Sequence, residues 1–411
     1  MSDNPRIDGA RLWNSLQTLA EIGATELGGV CRLALTDEDK RARDLFVRWA
    51  KEAGCSIRID ALGNLFAQRA GSDPTRPAVL MGSHLDSQPN GGRFDGAYGV
   101  MAGLEVLRTL NDAGLSTSAP TEVVAWTNEE GTRFAPSMMG SAAFAGLMDV
   151  EQAHASTDAQ GRSFLAELER IGYLGEQIPR PAIAAYFEAH IEQGPLLEDA
   201  HKTIGVVTGG QGQYWYDVAL TGQDAHAGTT PMASRRDALV GAAEVIQAVR
   251  QIGTSFPPGG CATVGRLEAS PNSRNVIARE VAMTIEVRHP DDAKRIQMDL
   301  AVRAAVHKAA DRHRLQARLS CVLDQPATPF DAACIVAVRD AARLGGYSHM
   351  DIVSGAAHDA IAIARIAPAA MVFVPCAEGI SHNEAESAEP DDLAAGCQVL
   401  LEAVLAMANR D

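Results

Sequence analysis

The stretch Gly82–Gly99, GSHLDSQPNGGRFDGAYG, holds the first side chains able to do chemistry. It follows an apolar run that reads as a strand, and open α/β sheets present their ligands at strand ends. His84 and Asp86 stand two apart, so on extended backbone both side chains point the same way. A metal-bound imidazole commonly donates its other N–H to a carboxylate, a role open to Asp86. Asp95 follows in a loop rich in glycine (Gly91, Gly92, Gly96, Gly99), where backbone can pass close to a crowded site. A surface turn with one histidine is the plain alternative for His84 by itself.

Thr127–Gly131, TNEEG, comes directly after the run TEVVAWT. Adjacent glutamates on a regular backbone point apart, so one is suited to hold a metal and the other to stand beside it as a base. Alone, such a pair reads as solvated charge. His190 closes the apolar stretch YFEAHIEQGP, and His382 lies in GISHNEAE after AAMVFVP. Each is an ordinary loop histidine in isolation. Their recurrence after apolar runs is what carries weight. Imidazoles and carboxylates without thiolates suit zinc, manganese or cobalt, and a shared carboxylate suits a two-metal centre.

The elements that must position these groups come in two patterns. Asn64–Ala70, Ala78–Ser83 and Thr121–Thr127 read as strands, with a helix over Val100–Ala113 between the last two. Apolar strands flanked by helices predict a buried, mostly parallel sheet covered on both faces. From Gln213 onward the order changes. Tyr214–Leu220 reads as a strand, Arg235–Ile252 as a helix, Ala262–Leu267 and Val281–Val287 as strands, Asp291–Arg314 as a helix and Leu315–Val322 as a strand. That β-α-β-β-α-β order builds a four-stranded sheet with two helices on one face. Helix over Ile335–Leu344, strand over Ala369–Val374 and helix over Asp391–Ala408 then resume the first pattern. The expectation is an α/β catalytic domain, residues 1–212 and 328–411, interrupted by an inserted domain over 213–327.

Composition narrows the function classes. The 411 residues include 36 Lys+Arg and 52 Asp+Glu, a formal charge of −16. Such a balance argues against nucleic acid or an anionic membrane as partner, since phosphate binding needs clustered cations. No apolar run approaches the roughly 20 residues that span a bilayer, and MSDNPRIDGARLW lacks the regions of a signal peptide. Seven scattered cysteines without a CxxC pair fit reduced thiols and a cytoplasmic location.

The segments GSHLDSQPNGGRFDG, TNEEGTRF, EAHIEQGP, GQDAHAGTTPM, PNSRNVI, EVRH, SGAAHDA and GISHNEAE occur in this order along nearly the whole chain. In them the sequence resembles the hydantoinase/carbamoylase group of metal-dependent amidohydrolases, within the zinc aminoacylase and carboxypeptidase superfamily. The resemblance implies two divalent ions per subunit (zinc, or manganese or cobalt), one held by His84, Asp95 and His190 and the other by Asp95, Glu130 and His382. Asp95 would bridge ions about 3.5–4 Å apart. Glu129 would be the general base and Asp86 the support for His84. His226, Asn275 and Arg288 of the inserted domain, with Gln193 and His358, would bind substrate, His226 also stabilising the oxyanion. A guanidinium suits a free α-carboxylate, and an imidazole offers a donor to developing negative charge.

By the same resemblance the substrate is a small ureido compound: an N-carbamoyl-L-amino acid or N-carbamoyl-β-alanine, hydrolysed to amino acid, CO2 and ammonia. Allantoate is the alternative; a di- or aminopeptidase and a non-catalytic small-molecule binder stand further off. The inserted domain is expected to close over substrate and to mediate a homodimer. Two positions depart from the pattern: Ala357, where glycine is expected in many relatives, and Glu286, where an aspartate is common before the arginine.

Overall fold

A computed structural model describes residues 5–177 and 180–410. The chain divides into two compact units, Met1–Gly209 with Pro329–Asp411, and Gly210–Thr328. The strands in chain order are β1 (Ser56–Ile59), β2 (Leu65–Arg69), β3 (Ala78–His84), β4 (Thr121–Trp126), β5 (Ile183–Ile191), β6 (Ile204–Gly210), β7 (Gly212–Thr221), β8 (Cys261–Ser270), β9 (Glu280–His289), β10 (Gln316–Gln325), β11 (Thr328–Pro329), β12 (His349–Ser354) and β13 (Ala369–Val374).

The first unit is built on one sheet in the order β1-β2-β4-β3-β5-β13-β6-β11, with β12 beside β6. Its centre, β4-β3-β5-β13, is parallel, and antiparallel pairs flank it at β1–β2, β2–β4 and β13–β6. Both faces are buried, which is why these strands read as unbroken apolar runs. Leu65, Val79, Met81, Val123 and Phe187 face a core that includes Leu16 of the helix Gly9–Ala20, Leu104 of Ala97–Asp112 and Leu400 of Pro390–Ala408. Their neighbours Phe66, Leu80, Val124, Trp126 and Tyr186 face the other way, onto Leu197, Ile352 and Ile361. The parallel centre has a direct consequence for chemistry. It brings the C-terminal ends of β3, β4, β5 and β13 to one edge of the sheet, and the loops that leave that edge carry the charged groups.

The second unit is an antiparallel sheet in the order β10-β7-β9-β8. Alternation is clean here because a single face is covered. Tyr216, Val218 and Leu220 of β7 and Met283, Ile285 and Val287 of β9 pack on Val245 and Val249 of the helix Ala238–Ser255, and on Val302 and Val306 of the helix Asp292–His313. The first of these helices starts at Ala238 and not at Arg235, because the Asp237 side chain accepts the amides of Leu239 and Val240 and fixes the start. Asp291 does the same for the second.

Candidate metal centre

His84 is the last residue of β3, His190 lies near the end of β5, Glu129 and Glu130 follow β4, and His382 lies in the loop after β13. Asp95 sits on the loop between β3 and the helix Ala97–Asp112. The parallel edge therefore collects six groups from five separated segments. Two trios have ligating atoms within 4.8 Å of one another: His84, Asp95 and His190, and Asp95, Glu130 and His382.

Each of the two inner imidazoles is oriented by a backbone carbonyl. His84 Nδ1 is 2.8 Å from the Asp86 carbonyl oxygen and His190 Nδ1 is 2.9 Å from that of Ile191. A proton on Nδ1 leaves the Nε2 lone pair of each ring aimed into the site; the Gly96 amide also points at His190 Nε2, at 3.1 Å. Asp95 Oδ1 lies 3.5 Å from His84 Nε2 and 3.2 Å from His190 Nε2. Asp95 Oδ2 lies 3.3 Å from His382 Nε2, which is 3.4 Å from Glu130 Oε2. Ligands about 2.1 Å from a tetrahedral ion stand about 3.4 Å from each other. The spacing is thus that of groups sharing an ion, and the nitrogen and oxygen donor set suits zinc or manganese.

Charge balance points the same way. Burial would raise the Asp95 carboxyl, but its pairing with His190, His382 and His84 outweighs burial and holds it well below its ordinary value. Burial alone would lower His84, but Glu129, Asp95 and Asp86 outweigh it and hold the imidazole well above its usual value. Glu130 is pushed up to about 7 by burial and by Asp95. Burial, reinforced by Asp359, Glu130 and Asp86, lifts Glu129 well above the usual carboxylate range, against the pull of His84. Buried acids crowded beyond what the imidazoles neutralise are what a cation would relieve.

Glu129 stands apart from both trios. Its carboxylate makes no hydrogen bond among the described residues, and its Oε2 is 3.6 Å from His84 Nε2. A carboxylate beside a candidate ion pair, free of other bonds, is placed to take a proton from a nearby water.

Asp86 requires a correction. The sequence reading makes its carboxylate the partner of His84, yet that carboxylate lies 3.9 Å from the ring nitrogen. β3 ends at His84, so the alternation assumed for the two side chains stops there. The backbone carbonyl of Asp86 takes the ring proton, and its carboxylate accepts the amides of Glu129 (3.3 Å) and Glu130 (3.2 Å). It therefore fixes the turn that aims the two glutamates, a turn entered through Asn128 with φ of 57°.

Gly96 shows why this loop needs glycine. With φ of +62°, a Cβ there would lie 2.4 Å from the His84 ring.

The proposed substrate contacts are distributed as follows. Gln193 donates from Nε2 to Asp95 Oδ2 (2.9 Å) and to Ser381 Oγ (3.1 Å), while its Oε1 is buried without a hydrogen-bond partner among the described residues. His358 is buried, its ring 4.5 Å from that of His190 and its Nε2 without a hydrogen-bond partner among the described residues; burial and His190 hold it well below its ordinary pKa, hence neutral. In the second unit the Ala227 amide donates to the Asn275 carbonyl at 2.9 Å, which makes His226 and Asn275 neighbours. His226 is exposed and its Nδ1 accepts the amides of Gly228 and Thr229, so its proton sits on Nε2 as a donor. Arg288 pairs through Nε with Glu286, which also accepts from Trp215 Nε1 at 3.1 Å.

Sequence reasoning missed three polar groups around the centre. Gln88 Nε2 donates to Glu130 Oε2 at 2.7 Å, and Ser381 and Glu386 bond to Asp95 and its loop. All three lie inside segments already singled out, and their only signal was proximity to a ligand.

Residues 80–406 match the profile of Peptidase family M20/M25/M40. The chain is similar to an N-carbamoyl-L-amino-acid amidohydrolase of Rhizobium meliloti, 46% identical over 99% of this chain and 98% of that one. It is also similar to an N-carbamoyl-L-amino acid amidohydrolase of Geobacillus stearothermophilus, 39% identical over 98% and 99%. Among solved structures, an amidase of the hydantoinase/carbamoylase family from Burkholderia multivorans is 55% identical with a TM-score of 0.95, covering 99% of each chain.

Proposed function

From the premise that the chain belongs to Peptidase family M20/M25/M40, and within it to the hydantoinase/carbamoylase amidases, we propose that it hydrolyses N-carbamoyl-L-amino acids. The bond cleaved joins the amino-acid nitrogen to the ureido carbonyl, and the products are the amino acid, CO2 and ammonia. One observation supports the reading: two candidate ligand trios share Asp95, and the Glu129 carboxylate stands beside them without a hydrogen bond among the described residues.

His84, Asp95 and His190 would hold one divalent ion, and Asp95, Glu130 and His382 a second. Such ions, zinc or manganese by their donor set, supply polarisation of the carbonyl and a lowered pKa for the attacking water. Glu129 takes the proton from that water and delivers it to the leaving nitrogen. Asp86 keeps Glu129 aimed through its amide. His226 donates from Nε2 to the oxygen as it gains charge. Arg288 binds the substrate α-carboxylate, and Asn275, Gln193 and His358 hydrogen-bond the remaining polar atoms. A homodimer formed through residues 213–327 and a cytoplasmic location belong to the same reading.

Ammonia release measured from N-carbamoyl-L-amino acids, N-carbamoyl-β-alanine and allantoate, with and without chelator, tests this directly. Turnover of the first group, lost on chelation, is expected. A preference for allantoate moves the substrate within the group. Ammonia from none of the three, with metal bound, refutes the reading and leaves a peptidase or a binder.

A further inference from the structure

The motif GISHNEAE contributes His382 to the site, and its last glutamate has no part in the chemistry above. Glu386 is buried, 1% exposed. Its Oε1 accepts two consecutive amides of another loop, Phe94 at 2.8 Å and Asp95 at 3.1 Å. Its Oε2 is 3.1 Å from Ser381 Oγ, and Ser381 Oγ is 3.0 Å from Asp95 Oδ2. Gln193 Nε2 reaches both Ser381 Oγ and Asp95 Oδ2. Asp95 is therefore gripped at its backbone by Glu386 and at its carboxylate by Ser381 and Gln193. Gly92 completes the arrangement from the opposite side: a Cβ there would lie 1.9–2.2 Å from the Glu386 carboxyl atoms. The loop of the shared carboxylate thus carries a gap shaped to admit the Glu386 head group.

We infer that Glu386 is a positioning residue that, with Ser381, sets the orientation of Asp95 and so governs the affinity of both ion positions together. Asp95 is the one ligand common to the two trios, so displacement of its loop weakens both. A side chain that served a single ligand would weaken one. The Glu386 carboxylate acts through the Phe94 and Asp95 amides and the Ser381 hydroxyl. The inference rests on the reading of the trios as ion sites.

The test is equilibrium dialysis of the full chain against Mn2+, with thermal melts and steady-state kinetics alongside. Glu386→Ala is expected to lower the affinity for both ions by about 10- to 100-fold, the usual range for groups that orient ligands, while KM measured at saturating Mn2+ changes little. Glu386→Gln is expected to stay within about threefold of wild type. Its Oε1 can still accept both amides, and its Nε2 can donate to Ser381 Oγ, leaving the hydroxyl proton for Asp95. Gly92→Ala is expected to reproduce the alanine loss in the wild-type background and to add little to Glu386→Ala, because the obstruction is then gone. If Glu386→Ala gives no cooperative melt, Gly92→Ala alone decides. Wild-type Mn2+ affinity for both ions in the folded alanine variant, or in Gly92→Ala, overturns the inference, as does a glutamine variant as weak as alanine. A wild type that takes up no Mn2+ overturns the ion sites themselves, and the inference with them.

Discussion

Glu129 and Glu130 are chemically identical neighbours in different surroundings, and the proposed function gives them different work. Glu130 points at His382 and Asp95 and is tied by Gln88, whereas the Glu129 carboxylate has no hydrogen bond among the described residues and a proton affinity raised by burial. Glu129→Gln preserves its shape and removes the proposed base. We expect kcat to fall about 10²- to 10⁴-fold with metal content unchanged by elemental analysis. Arg288 differs, since its charge would meet substrate and not the ions. Arg288→Ala is expected to raise KM about 10- to 100-fold, the scale of a lost hydrogen bond to a charged group, again with normal metal content; an unchanged KM would exclude the carboxylate grip. Glu286, the unusual residue beside it, has a visible role in pinning the guanidinium through Nε.

At the level of elements, the loop from β3 to the helix Ala97–Asp112 concentrates the constraints. Gly96→Ala places a methyl 2.4 Å from the His84 ring at a backbone angle of +62°, so we expect lower metal affinity and lower kcat, read by dialysis and kinetics. By contrast, Asp237→Ala removes only a helix cap in the second unit. It is expected to cost about 0.5–2 kcal/mol in denaturant melts without changing metal binding. The convergence of His84, Glu130, His190 and His382 was legible in sequence because each stands at or after the end of an apolar run that must be a central strand, and parallel strands align their ends. Asp86 supports His84 through its backbone carbonyl, which strand alternation could not show because β3 ends at His84. Glu386 was invisible for another reason: in a polar loop a carboxylate that clamps backbone reads like one that faces water. The amide partners it needs, Phe94 and Asp95, are nearly 300 positions away, and no local pattern links them.

For the whole molecule, protons and ions compete for the same groups. Glu130 has a folded pKa of about 7, above its ordinary 4.5, and His382 is raised by its hydrogen bond to Asp95, against its burial. Without ions, both contribute stability at acidic pH that is lost as pH rises through their folded values. With ions the sign reverses, because ligands must shed protons to bind. The gap in melting temperature between metal-loaded and chelated protein is therefore expected to widen from about pH 5.5 to 7.5; a gap that narrows with pH would contradict the ligand assignment.

The His382 side chain is 51% exposed, against 2% for His84 and 1% for His190. The pocket thus has a floor and a rim. An occupant at the rim would trade places quickly with whatever cation the surrounding fluid offers. The outermost of the three imidazoles is thus the one that solvent reaches first, and the two inner ones are sealed by the sheet beneath them.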